Sequence, residues 1–382
     1  MYKFDPLKLE LYNKNKNITA LPDARIGSFD MEVYIEGSKS MIYALGFHSY
    51  LGETKMFYIN KNLESDKNLI NCLNVMFEYK YSGITWYCHN SGRYDSRILL
   101  KVLYEYNNSV KERNRRILDY NDSVKKHNML VIEYNNIIKD NEFSDYKEIE
   151  EISVKDYDNS LILDIKTTFR KSTILKLEVS KIVNKTKYTI TICDSCALFP
   201  DSLKRLAEKY NVSTLKGDFP HEFANSKTVF YIGNTPDLSY YENTNIEDYS
   251  SLYSTNWDFK EESIKYLTKD LVSLYEILVT SNRSLHSHFN VQIVNCLTVY
   301  RIASDIYLKN FVNRGTSNLP YINIMSVFND IHKAYFGGIT EVYIPYGINL
   351  KYYDVNSLYP YASYNPMPGL NAEYIDYFDK SI

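Results

Sequence analysis

From Val102 to Glu151 the chain contains neither proline nor glycine, and Val110, Ile117, Val124, Val131 and Ile138 recur at intervals of seven. A helix-breaking residue is therefore absent from a long Glu/Lys/Asn-rich stretch. The seven-residue spacing keeps its apolar side chains on one helical stripe. The stretch reads as a helical hairpin or coiled-coil-like insertion, with the stripe turned toward a packing partner and no chemistry assigned to it.

What this insertion interrupts sets the fold class. Two strand-like runs, Gly27 to Tyr34 and Met41 to Phe47, flank a Gly/Ser turn and read as a hairpin. A helix near Leu69 to Tyr79, a short apolar strand from Ile84 to Cys88 and a helix from Ser96 to Tyr106 follow. After the insertion, strands are expected at Leu161 to Lys166, Ile174 to Val179 and Tyr188 to Cys193, then a helix from Ser202 to Tyr210. Strands alternating with helices give an α/β fold with a mixed sheet and flanking helices. A polar connector from Asn234 to Asn256 leads to a helix at Lys260 to Val279, more helix to Leu308, and strands near Thr340 to Pro345 and Lys351 to Val355. The expected division is an N-terminal extension at 1–25, a domain at 26–280 carrying the insertion at about 102–151, and a second domain at 281–382, with the boundary near Ser281.

With 382 residues the chain can bury one large core or two moderate ones. A net charge of −3 gives no global basic footprint. A nucleic-acid partner would then be met by a local Lys/Arg stripe, and a cluster of carboxylates offset by metal ions. Five scattered cysteines form no secreted disulfide framework. Cys193-x-x-Cys196, the one CxxC pair, is read as buried thiols and given no metal. No signal-peptide core or membrane-spanning run is read, so no membrane partner is expected and an intracellular site is the default.

Three segments carry paired functional groups. In Phe29-Asp30-Met31-Glu32 the two acids stand two apart on a strand and so share a face; the pair can hold a metal or simply line a half-exposed strand. In Tyr87-Cys88-His89-Asn90-Ser91-Gly92-Arg93-Tyr94-Asp95 an acid follows a turn that ends a buried strand, and His89 reads as a hydrogen-bonding structural residue. In Tyr266-Leu267-Thr268-Lys269-Asp270 the phenol and the carboxylate are four apart on one helix face.

In this order the three segments resemble the DEDD-type 3′→5′ exonucleases with tyrosine in the third motif, and most closely those of the protein-primed family B DNA polymerases of phages, adenoviruses and linear mitochondrial plasmids. The resemblance implies a ribonuclease H-like exonuclease domain followed by the beginning of a family B polymerase palm. It implies that Asp30, Glu32, Asp95 and Asp270 bind two ions, Mg²⁺ or Mn²⁺, with Tyr266 orienting water. Asp201-Ser202-Leu203-Lys204-Arg205-Leu206 is similar to the family's Ser/Thr-Leu-x-x-hydrophobic motif, and Thr214-Leu215-Lys216-Gly217-Asp218 to the segment with its auxiliary lysine. Asn90, Tyr94, Ser202 and Leu203 would thus touch single-stranded DNA, and Lys216 would neutralise phosphate charge. Ser202 is equally well read as a helix N-cap.

Toward the C-terminus, Tyr335-Phe336-Gly337-Gly338 resembles the family's YxGG segment, which contacts template DNA, and Tyr353 to Pro360 resembles polymerase motif A. The latter assigns a metal to Asp354, places Ser357 and Leu358 in the motif, and sets Tyr359 under the incoming sugar. Ile339 follows the glycines where relatives carry a basic residue. No Lys-x-x-x-Asn-Ser-x-Tyr-Gly helix or Asp-Thr-Asp turn follows, so nucleotide addition by these residues alone is not expected. The function expected is DNA-directed DNA polymerase with proofreading exonuclease, acting in DNA replication. Its implied partners are the single-stranded 3′ end, primer–template DNA, a terminal primer protein, and dNTP once the palm is complete. The alternatives are a stand-alone exonuclease or an inactive remnant that binds single-stranded DNA or the terminal protein. Family habit and A+T-biased composition, with 38 Tyr, point to the mitochondrion.

Overall fold

The computed structural model describes residues 10–11, 25–140, 147, 149–183, 185–214, 218–242, 244–311, 320–321, 325–333, 347–349, 351 and 353–366. The chain divides into two compact units, one of residues 18–310 and one of 1–17 together with 311–382. In the smaller, strand β1 (Glu10–Leu11) pairs antiparallel with β11 (Pro320–Tyr321), and helices α7 (Met325–Lys333) and α8 (Leu358–Ser363) follow; the strand expected near Thr340 to Pro345 lies outside the described residues, and the described residues from Lys351 to Val355 form no strand. Residues 1–17 thus group with 311–382.

The larger unit is built on a seven-stranded sheet in the order β4-β3-β2-β5-β8-β7-β6. Strands β2 (Ile26–Glu36), β3 (Lys39–Ser49) and β4 (Thr54–Tyr58) form an antiparallel meander. On the other side of β2, strands β5 (Thr85–Cys88) and β8 (Thr186–Asp194) run parallel to it, and β7 (Thr173–Val183) and β6 (Asp164–Arg170) continue antiparallel from β8. A meander of three strands followed by two parallel ones is the ribonuclease H-like arrangement expected from the sequence.

Alternation along β2 divides its side chains between the two faces of the sheet. Phe29 and Met31 join Ile42, Leu45 and Phe47 under α1 (Ser65–Met76) and the start of α2 (Asp95–Asp140). Ile26 and Tyr34 face the other way, onto α3 (Leu203–Tyr210), α5 (Phe259–Phe289) and α6 (Val299–Asn310). Short α4 (Ile246–Leu252) and the two-residue pair β9 (Ile232–Gly233) and β10 (Trp257–Asp258) complete this side. Helix α5 lies close on the sheet: Ser28 Oγ donates to the Leu271 carbonyl at 2.6 Å, and a Cβ at Gly46 would come 3.3 Å from Leu271 and 2.5 Å from Met56. Among the described residues no helix is long and apolar enough to cross a membrane.

Two sequence expectations need correction. The boundary near Ser281 falls inside α5, where Ser281 is buried and donates to the Ile277 carbonyl, so the unit continues to Asn310. The insertion is not a helical hairpin among the described residues. Helix α2 is continuous for 46 residues, and the chain returns along it in extended form. Asn107, Asn121, Asn128 and Asn135 each donate to and accept from the backbone of one residue, respectively Leu163, Lys155, Ile152 and Ile149. Asn114 donates to the Asp158 carbonyl.

Candidate metal centre

Pairing between β2 and β5 ends at Ser28 and Tyr87, and β5 itself stops at Cys88. The two acids that follow on β2, Asp30 and Glu32, therefore face a crevice at the carboxyl end of a parallel strand, where open α/β sheets commonly bind ligands. The chain leaves β5 through a tight turn in which Asn90 is left-handed at φ 58°. Gly92 follows, its amide donating to Asp194 Oδ2 at 3.2 Å. A Cβ at Gly92 would lie 2.3 Å from the Ile174 carbonyl oxygen, so only glycine fits this close approach. The turn delivers Asp95 to the first turn of α2, whose start is tied down by Arg97 donating to the Ser172 carbonyl at 2.8 Å.

The structure brings Asp30, Glu32, Asp95, Tyr266 and Asp270 together from these three separated segments. Carboxylate oxygens of Asp30, Glu32 and Asp270 lie within 4.8 Å of one another, and so do donor atoms of Asp30, Cys88 and Asp95. Burial and the neighbouring charges of Asp95, Glu32 and Asp270 hold the Asp30 carboxyl well above its ordinary pKa. Asp95 is pushed up to about 6, chiefly by burial. The phenol of Tyr266, buried beside Asp270 and hydrogen-bonded to it, is raised far beyond its usual range and stays protonated. Oxygen-rich donors that repel one another without a counter-charge suit a divalent cation.

Residues around this group separate into those that the sequence reading named and those it missed. Tyr94 is exposed at the mouth of the turn. Ser202 caps α3, its Oγ accepting from the Arg205 amide at 3.3 Å. Leu203 follows it at the start of α3, 8% exposed, with its side chain packed in the core shared with α5. His89 is structural, as read: its ring nitrogens bond Ser195 Oγ at 3.0 Å and the Asp201 carbonyl at 2.9 Å. Lys216, Tyr335, Gly337 and Gly338 lie outside the described residues. Asp354, Ser357, Leu358 and Tyr359 are exposed in the smaller unit, and Asp354 joins neither carboxylate grouping found among the described residues.

The missed residues are Cys88, Asp194 and His221. His221 Nδ1 lies 3.4 Å from Glu32 Oε2, and its ring stands edge-on to Tyr266 at 4.9 Å. Asp194, 4% exposed, accepts from the amides of Gly92 and Cys196 and so fixes the turn that presents Asp95. Only tertiary folding joins His221 and Asp194 to the motifs, and a Pro-His-Glu-Phe string or a strand-terminal Asp carries no distinctive signal; Cys88 stands within the second segment itself, where a strand-end thiol carries none either.

Known proteins align with this chain in sequence. A "Probable DNA polymerase" of Podospora anserina is 37% identical over 97% of this chain and 30% of its own length. One of Agaricus bitorquis is 27% identical over 91% of this chain and 39% of its own. The chain thus spans well under half the length of these relatives. Among solved structures, phi29 DNA polymerase complexed with primer-template DNA and incoming nucleotides matches with a TM-score of 0.41 and 13% identity, over 83% of this chain and 40% of that one. The family model of type B DNA polymerases, organellar and viral, matches residues 75–381, most of the chain, and the chain belongs to that family.

Proposed function

We propose that residues 18–310 form the 3′→5′ proofreading exonuclease of a protein-primed DNA polymerase that acts in DNA replication. The observation that carries this reading is the convergence of Asp30, Glu32, Asp95, Asp270 and Tyr266 in one crevice. The four carboxylates would hold divalent ions, Mg²⁺ or Mn²⁺. When bound, such ions lower the pKa of water and neutralise charge on the leaving 3′ oxygen of a phosphodiester. Tyr266, protonated and anchored on Asp270, has oxygen lone pairs that can accept from a water and orient it. Exposed Tyr94 offers a face for stacking on an unpaired base, Asn90 adds an amide beside it, and Lys216 supplies positive charge to phosphate.

On this reading Tyr335, Gly337, Gly338 and the motif A residues Asp354, Ser357, Leu358 and Tyr359 open the polymerase palm. The implied partners are primer–template DNA, a terminal primer protein and dNTP. The mitochondrion is the proposed location. The test is digestion of 5′-labelled single-stranded DNA by the purified chain in Mg²⁺. Stepwise release of mononucleotides is expected, and Asp30→Ala with Glu32→Ala should reduce it ~100-fold or more while leaving DNA binding largely intact. Unchanged digestion in the double variant would refute the site. Tight DNA binding by the wild type without metal-dependent release would instead favour a binding remnant.

A further inference from the structure

The exonuclease reading leaves one buried donor in the crevice unused. Cys88, fully buried at the end of β5, has its Sγ 3.8 Å from Asp30 Oδ1 and 3.6 Å from Asp95 Oδ2. Magnesium has no use for a thiol: it takes hard oxygen ligands and the carboxylates already supply them. Sulfur matters for softer ions, which thiolates select. For a tetrahedral ion with metal–oxygen bonds of about 2.1 Å and a metal–sulfur bond of about 2.3 Å, the oxygen and sulfur ligands stand about 3.6 Å apart. The two distances from Cys88 are close to that value.

We infer that Cys88 is a third ligand, with Asp30 and Asp95, for a thiophilic divalent cation such as Zn²⁺, Cd²⁺ or Co²⁺, so that the site carries one soft donor among hard ones. The inference rests on the reading of Asp30 and Asp95 as metal ligands. Binding forms a sulfur–metal bond as the S–H bond breaks, and the proton leaves to solvent; nothing is oxidised or reduced. The consequence is competition: a thiophilic ion occupies the Asp30–Asp95 side in preference to Mg²⁺, at a position shared with the nuclease chemistry. A thiol that merely hydrogen-bonds the two carboxylates would show no such preference.

Cobalt(II) is the probe, because its bond to a thiolate gives a near-ultraviolet charge-transfer band independent of catalysis. The full chain, freed of metal with EDTA and kept reduced with a phosphine, is titrated with Co²⁺. A saturable band is expected that disappears in Cys88→Ser, in Cys88→Ala and in Asp30→Asn. The other cysteines, including half-buried Cys196, remain in each variant and serve as internal controls. In competition with a chromophoric chelator, Cys88→Ser should lose ~10–100-fold in Zn²⁺ affinity, with Mg²⁺ affinity altered less than about threefold. Cobalt bound without the band, or a band that persists in both Cys88 variants, overturns the inference. Digestion of single-stranded DNA in Mg²⁺ by the same preparation is scored separately. A protein that shows the Cys88-dependent band yet degrades nothing supports the ligand assignment and sinks the nuclease reading.

Discussion

Asp30 sits where burial and three other carboxylates all oppose its charge. Folding therefore raises its pKa, as it does that of Asp95, to about 6 for the latter. The sign of the linkage follows. A carboxyl whose folded pKa lies above its unfolded value stabilises the fold at low pH, and that contribution is lost as pH rises through the folded value. Without metal, the site should thus weaken the fold progressively as pH climbs from about 4 through 6 and above. Asp30→Asn removes the central charge, so in EDTA its melting temperature should exceed the wild type's by roughly 2–4 °C at pH 7.5, with a smaller gap at pH 5. Equal melting at both pH values would show that the cluster is not electrostatically strained. A second residue-scale prediction separates the two groups on α5: on the proposed reading, in which the phenol orients water and the acid holds metal, Tyr266→Phe should slow DNA digestion less than Asp270→Ala. A reversed order in single-turnover rates would exchange those roles. Both pairs were legible in sequence because strand parity and the helical repeat fix which side chains share a face. His221 was not, since it reaches the site only through the tertiary contacts of a separate segment, and Cys88, although in the same segment as Asp95, is a strand-end thiol with no chemical signal of its own in the sequence.

At the scale of elements, α2 shows where periodicity informs and where it misleads. The seven-residue stripe of valines and isoleucines marked helix but not its extent, one continuous helix standing where a hairpin or coiled-coil-like insertion was expected, and Val110, Val124, Val131 and Ile138 are buried. A second stripe at the same interval, Asn107, Asn114, Asn121, Asn128 and Asn135, lay beside it in the sequence. Seven helical residues rise about 10.5 Å, and three extended residues span about 10 Å, so each amide meets the returning chain every third residue, at Ile149, Ile152 and Lys155. A side-chain amide reads the backbone alone, which leaves the side chains of the partner strand unconstrained and its pairing invisible to pattern. Replacing Asn121 and Asn128 together by leucine should speed amide exchange at Lys155 and Ile152 roughly tenfold or more, each lost amide being worth about 1 kcal/mol. Nuclease activity should be unaffected, because neither residue touches the carboxylate crevice. Unchanged protection at those two amides would mean that apolar packing, not the asparagine row, holds the return strand.

For the molecule as a whole, the carboxylates come from β2, the start of α2 and α5, which are distant in sequence but all within residues 18–310. That unit contains the seven-stranded sheet and the three buried cores, and α5 and α6 close it through Leu274, Ile277, Leu278 and Ile302. A cut at Ser281, where the sequence alone would divide the chain, removes the last turns of α5 and all of α6, exposing that core. A cut after Asn310 crosses no buried helix. The expected outcome is that a fragment of residues 18–310 is soluble, melts cooperatively and digests single-stranded DNA within about threefold of the rate of the full chain, because each of its cores is self-contained. A fragment of residues 26–280 should be insoluble or melt without cooperativity, having lost apolar contacts to Ile26, Leu203 and Leu206 that are worth roughly 2–5 kcal/mol for each large side chain removed. Thermal unfolding followed by circular dichroism, with nuclease assays on the same samples, checks both. If the longer fragment melts broadly while the full chain melts sharply, residues 1–17 and 311–382 are needed to hold residues 18–310 together, and the division at Asn310 is not a folding boundary.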